Sequence, residues 1–195
     1  MTTMKRSPWI WCVGLLLSGC FGTSKPTRYF VLELPGRREV IEQVTRPAPP
    51  LHITVKSLPA YLDRGNFVTQ VSHNEIEVSD LLMWGEPLSN GISRVLLAGV
   101  THHLASQKRV SDREYQGPIA ITIDIETLIC SAGDLSCSLA ITWRLECGSK
   151  EIVRDSMALR QTILSGTPES QVVGIGELLD KVAEQLANTI GSQNC

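Results

Sequence analysis

Six cysteines carry most of the chemistry that this sequence could perform. Cys20 follows Leu17-Ser18-Gly19, at the close of a segment in which Lys5 and Arg6 precede the apolar run Trp9 to Leu17. A charged start, a brief apolar core and small residues before a cleavage point describe a secretory signal. The run falls short of the roughly 20 residues that span a bilayer, so a retained transmembrane helix is not expected. Cys12 leaves with such a signal, and Cys130, Cys137, Cys147 and Cys195 remain beside Cys20. An even number in an exported chain suggests two disulfides, with three connectivities open. Cys130 and Cys137 bracket a hairpin loop, which favours that pair and leaves Cys147 with Cys195. Zinc competes for four cysteines, but no C-x-x-C spacing occurs and an oxidising compartment disfavours free thiolates. Four free cysteines, buried as small apolar residues, are the third reading.

Catalytic constellations find little footing. Gly91-Ile92-Ser93-Arg94-Val95 lacks the second glycine of a G-x-S-x-G nucleophile turn, and no base stands beside Ser93. No Walker loop, H-E-x-x-H or dinucleotide fingerprint occurs. His102 and His103 are adjacent, so on a helix they point about 100° apart and cannot share one ion. Asp124 and Glu126 read as the solvated face of a strand. The chain is therefore expected to be no enzyme and to hold no metal or dissociable cofactor.

The elements that would carry these residues follow from periodicity. Tyr29 to Leu34 reads as a strand ended by Pro35-Gly36, and Gly36 to Pro50 as a stiff surface connection. Leu51, Ile53 and Val55 alternate with polar residues, a second strand. Leu58 to Gly65 is irregular. Phe67 to Val71 and Glu75 to Val78 form a hairpin across Ser72-His73-Asn74. Pro87 suits a first helical position, and Leu88, Ile92, Val95, Leu96, Gly99 and His103 make the apolar stripe of a helix over 86–105. Gln107 to Gly117 is a charged loop. Ile119, Ile121, Ile123, Ile125 and Ile129 strictly alternate, as do Leu139, Ile141, Trp143 and Leu145, with a turn at Ser131-Ala132-Gly133-Asp134. A strand through Val153, Met157 and Leu159 completes a meander. Pro168 and Glu169 open a last helix with Ile175, Leu179, Val182, Leu186 and Ile190 on its stripe and Gly191 past its end. The expectation is an α+β two-layer domain, a largely antiparallel sheet with two amphipathic helices on one face.

The boundaries expected are a signal over 1–19, a tether over 20–28 and one domain over 29–195. Cleavage before Cys20 would remove Lys5 and Arg6 and take the formal charge from -2 to -4, with no clustered basic face for nucleic acid.

Leu17-Ser18-Gly19-Cys20 resembles the lipobox of bacterial lipoproteins. The resemblance implies a diacylglyceryl group on the Cys20 sulfur, cleavage before it and acylation of the new amine. Phe21 stands where an aspartate would hold such a protein in the inner membrane of enteric bacteria, which points to the outer membrane. Two further stretches, Leu58-Pro59-Ala60-Tyr61-Leu62-Asp63-Arg64 and Trp84-Gly85-Glu86-Pro87-Leu88, lead into Ile92-Ser93-Arg94-Val95-Leu96. With the lipobox and Tyr29-Phe30-Val31-Leu32 they resemble the auxiliary lipoproteins of ABC-type transport, the PqiC/YmbA family. That resemblance implies an outer-membrane component, facing the periplasm, of a lipid-transport system built on MCE-domain proteins. It also implies a ring of identical subunits that docks an MCE-domain partner. Tyr61, Asp63 and Arg64 are then candidates for docking, against the plainer reading that the charges tie the loop and Tyr61 packs. Trp84, Glu86 and Pro87 read as structural, with Glu86 complementing the helix dipole. Arg94 could reach Asp63 or Glu86, or stand in solvent. Leu97, Leu128 and Ile163 lie off the main stripes and could line a lipid path or be ordinary exposed apolar residues. A passive scaffolding lipoprotein needs the same anchor and fold.

Overall fold

The structure, a computed structural model, describes residues 25–36, 50–107 and 118–193. Cys20, Cys195 and the greater parts of the two expected long loops lie outside those residues. Among the described residues seven strands and two helices follow in the order β1 (Arg28–Phe30), β2 (Leu51–Ser57), β3 (Asn66–Ser72), β4 (Glu75–Trp84), α1 (Leu88–Ser106), β5 (Ile119–Ser131), β6 (Ser136–Cys147), β7 (Lys150–Thr162) and α2 (Pro168–Ser192). They form one mixed sheet of order β1-β4-β3-β5-β6-β7, with β2 paired to β5 off that path.

The long pairings, β3 with β4, β5 with β6 and β6 with β7, are antiparallel, as the alternation predicts. Parallel pairings join them. β2 runs along β5 from Leu51↔Ile119 to Ser57↔Asp124, and β3 meets β5 at Gln70↔Ser131. β1 lies parallel to β4 at Arg28↔Leu82 and Phe30↔Trp84. Ile119, Ile121, Ile123 and Ile125 of β5 and Leu139, Ile141, Trp143 and Leu145 of β6 are buried on the face covered by the helices. Both helical stripes enter the same core, and α1 and α2 are joined at their rims by His103 Nε2 to Asp180 Oδ1 at 3.0 Å and Gln107 Nε2 to Asn188 Oδ1 at 2.8 Å.

Several expectations are corrected. The strand expected over Tyr29 to Leu34 stops at Phe30, because Leu32 and Leu34 turn off the ladder to pack into the core. The alternation along β5 breaks at a bulge between Ile125 and Thr127. Beyond it Leu128 and Cys130 point inward, and Ile129 is only partly buried. One extra residue reverses which side chains face the core. Leu128 is therefore a core residue; Ile163, after β7, is buried as well, and of the three surplus aliphatics only Leu97 stays exposed. α1 starts at Leu88 with Pro87 as its N-cap and no acid in its first turn, so Glu86 precedes the helix. α2 runs through Gly191 to Ser192.

Candidate functional site

β5 accepts β2 along its first half and β3 only at its end. Loop 58–65 covers the gap between them. Leu62 N–H donates to Pro59 O at 2.9 Å, and Leu62 is buried while Leu58 and Tyr61 pack against the core. The Tyr61 phenol accepts the backbone N–H of Leu128, just past the β5 bulge. Burial raises the Tyr61 pKa above its ordinary value, and the Leu128 hydrogen bond offsets part of that rise. Asp63 and Arg64 turn the other way and are exposed. The structure thus separates the three loop residues. Tyr61 seals the sheet, and Asp63 and Arg64 form a charged outer edge, with no ion pair to either among the described residues.

The second motif ties this loop to the N-terminal segment. Trp84 N–H donates to Gly65 O and Gly85 N–H to Phe30 O, each at 2.7 Å. Phe67 sits between Phe30 and Trp84, with ring centroids 5.5 and 5.0 Å away. Arg94 on α1 donates through Nη2 to Glu86 Oε1 at 2.5 Å and to Leu32 O at 3.0 Å. Glu86 therefore serves as a partner that aims Arg94, and Arg94 holds the chain that enters the fold. Residues 31–35 then form a strap across both helices. Leu32 is buried, Leu34 lies against Gly99 of α1, and Glu33 O and Pro35 lie against Gly176 of α2. A Cβ at Gly176 would stand 2.5 Å from Glu33 O, so the strap needs a bare backbone there. Arg28, where the tether joins β1, is ion-paired with Glu169 in the first turn of α2. Sequence periodicity does not show this strap, since its partners are single side chains and glycines far apart in the chain.

Cys130 and Cys137 are directly opposed on β5 and β6 and joined by a disulfide. Both are buried beneath α2, each sulfur 3.7 Å from Gln171 O. Cys147 is disulfide-bonded as well; Cys195, expected as its partner, is outside the described residues. The His102 and His103 rings stand edge to face with centroids 5.7 Å apart, and no group of three metal-ligating side chains exists among the described residues. On the uncovered side of the sheet a groove of about 440 Å³ runs between the β3–β4 turn and the β5–β6 turn. Arg160 lines it, donating to Ser136 Oγ at 3.1 and 2.8 Å and standing 3.6 Å from Asp134. These groups satisfy one another, which makes the groove a braced polar surface.

No helix among the described residues is long and apolar enough to cross a membrane. No curated protein matches the chain. Among solved structures, an uncharacterized protein matches with a TM-score of 0.67 at 15% identity, covering 85% of this chain and 99% of its own. Protein XCC0632 from Xanthomonas campestris matches with a TM-score of 0.54 at 13% identity, covering 85% and 92%. Both show the fold. The family model described as the ABC-type transport auxiliary lipoprotein component matches residues 30–187, from the end of β1 well into α2 and through both motifs, and the chain belongs to that family.

Proposed function

We propose that this chain is an outer-membrane lipoprotein, anchored through acyl chains on Cys20, that serves MCE-linked phospholipid transport as a non-enzymatic auxiliary subunit. The family match over residues 30–187 carries the reading, with Leu17-Ser18-Gly19-Cys20 lying a short tether ahead of it. Several acyl chains on one residue anchor a protein firmly, at about 0.8 kcal/mol per buried methylene. The strap suits such an anchor, because it fixes the tether into the core through Arg94, Glu86 and Arg28. Asp63 and Arg64 supply an exposed charged edge for an MCE-domain partner or a neighbouring subunit. With Leu128 and Ile163 inside the core, an apolar path for lipid would form between subunits of a ring, not within one chain.

Crosslinked purification of the lipidated protein from its own envelope, read by mass spectrometry, tests the reading. Recovery of an MCE-domain protein is expected, with loss of membrane retention in Cys20→Ala. Recovery of cell-wall proteins alone would make the chain a scaffold, and full membrane retention of Cys20→Ala would remove the anchor.

A further inference from the structure

Five exposed apolar side chains lie at one end of this molecule, while Tyr29, Val31 and Leu97 are exposed elsewhere. β3 and β4 turn there, Ser72 opposite Glu75, and Gln70 pairs with Ser131. The turn from Ser131 to Ser136 therefore lies at the same end, as does Thr162, which pairs with Ser136. Ile163 N–H donates to Leu135 O at 2.8 Å, and Gln171 of α2 is bonded to Thr69 and to Gly166, which brings the start of α2 alongside. Leu164 at this end is 99% exposed, and Val71, Ile76, Leu135 and Val173 are exposed with it. Leu135 adopts φ 48°, a left-handed conformation more usual for Asn, Asp or Gly. Leu135 keeps 39% of its surface exposed in that conformation.

The tether leaves from this same end. Arg28 is held by Glu169 in the first turn of α2, and β1 is parallel to β4, so the chain before Arg28 heads toward the β3–β4 turn. From Leu82 opposite Arg28 to Glu75 at that turn the strand covers about 24 Å at roughly 3.4 Å per residue. The eight residues back to Cys20 reach at most about 29 Å when extended. An anchor on Cys20 can therefore reach the plane of the turns. Resting on the anchor reading above, we propose that the end formed by the turns at 72–75 and 131–136 and by Leu164 is a membrane-contact face that seats Leu164, Leu135 and Val173 in the lipid interface. Asp134 is engaged by Arg160 and Glu169 by Arg28, while Glu75 and Glu77 remain exposed, so the face suits zwitterionic lipid better than a strongly anionic surface.

The test is the lipidated protein in phosphatidylcholine vesicles, carrying an environment-sensitive fluorophore at Leu164→Cys or, at the opposite end, at Lys150→Cys. The expected result is several-fold weaker quenching by aqueous iodide at position 164 than at 150, lost in a Leu135→Glu, Val173→Glu background. Equal, full quenching at both positions in protein that floats with the vesicles would overturn the inference. So would shielding at 164 that appears only after an envelope protein is added, which would make this end a protein-docking face. Protein that fails to float would refute the Cys20 anchor, and the contact face with it.

Discussion

Gly176→Ala tests whether the strap is packed as described, because two effects of known size oppose each other. Alanine in a helix interior is favoured over glycine by about 0.8–1.0 kcal/mol. At Gly176 the new Cβ would lie 2.5 Å from Glu33 O and 3.4 Å from Pro35 Cδ. Ordinary C···O approaches are about 3.3–3.6 Å, so the strap must retreat by nearly ~1 Å. It cannot do so freely. Leu32 is 1% exposed and its carbonyl is held by Arg94, while Leu34 is pinned against Gly99. Overpacking of this kind costs typically ~1–3 kcal/mol, which matches or exceeds the propensity gain. Gly91→Ala is a milder comparator, since the nearest atoms to its Cβ belong to the end of the Glu86 side chain, 3.2 Å away at Oε1, with no backbone among them; that oxygen also accepts from Arg94. Urea unfolding should show Gly176→Ala neutral to about 2 kcal/mol less stable, with faster proteolysis near Pro35, and Gly91→Ala unchanged or more stable. A Gly176→Ala protein stabilised by the full propensity gain, with the strap still protected, would refute the packing.

Three further outcomes are expected. Tyr61→Phe leaves the Leu128 N–H without its partner and should cost about 1–3 kcal/mol in denaturant unfolding. Arg28 holds the Glu169 carboxyl below its ordinary value of 4.5, so the pair contributes fully above that pH and is lost as pH falls through the lowered value. Glu169→Gln should therefore flatten the fall of stability between neutral and acid pH, and an unchanged acid slope would argue against the pair. Replacing both Cys130 and Cys137 by alanine should cost about 2 kcal/mol, the chain-entropy value for so short a loop; an unfolding midpoint indifferent to reductant would argue against that stabilisation.

Both helices and most strands are legible in the sequence because their burial is periodic, and period is what a sequence displays. The isoleucines of β5 and the stripe from Ile175 to Ile190 are written that way. The β5 bulge is not, since Ile129 keeps the odd-numbered spacing of Ile119 to Ile125 across Glu126 and Thr127. The parallel pairings of β1 and β2 are hidden for another reason. They depend on which distant strand offers a free edge, and neither Arg28 nor Leu51 carries a local mark of its partner. Tyr61 can be singled out but not assigned, because its partner is the backbone of Leu128, far along the chain and without a side-chain signature. Arg94 was nameable with Glu86 as one possible partner; its second bond, to Leu32 O, goes to a backbone atom and leaves no side-chain signature.

The parallel pairing of β1 with β4 has a mechanical consequence. A pull on the tether acts along the axis of β1, toward the β3–β4 turn. Its hydrogen bonds are then sheared together, with none opened ahead of the rest as in peeling. The Gly85–Phe30 bond, the grip of Arg94 on Leu32 and the Arg28–Glu169 pair lie along the same line and share the load. Resistance to force is set by the rate of crossing the unfolding barrier, not by equilibrium stability. A strap joined to β4 in the opposite sense would unzip bond by bond under the same tension. This one should hold until several contacts fail at once, so tension on the tether, were Cys20 anchored as proposed, would not loosen the core.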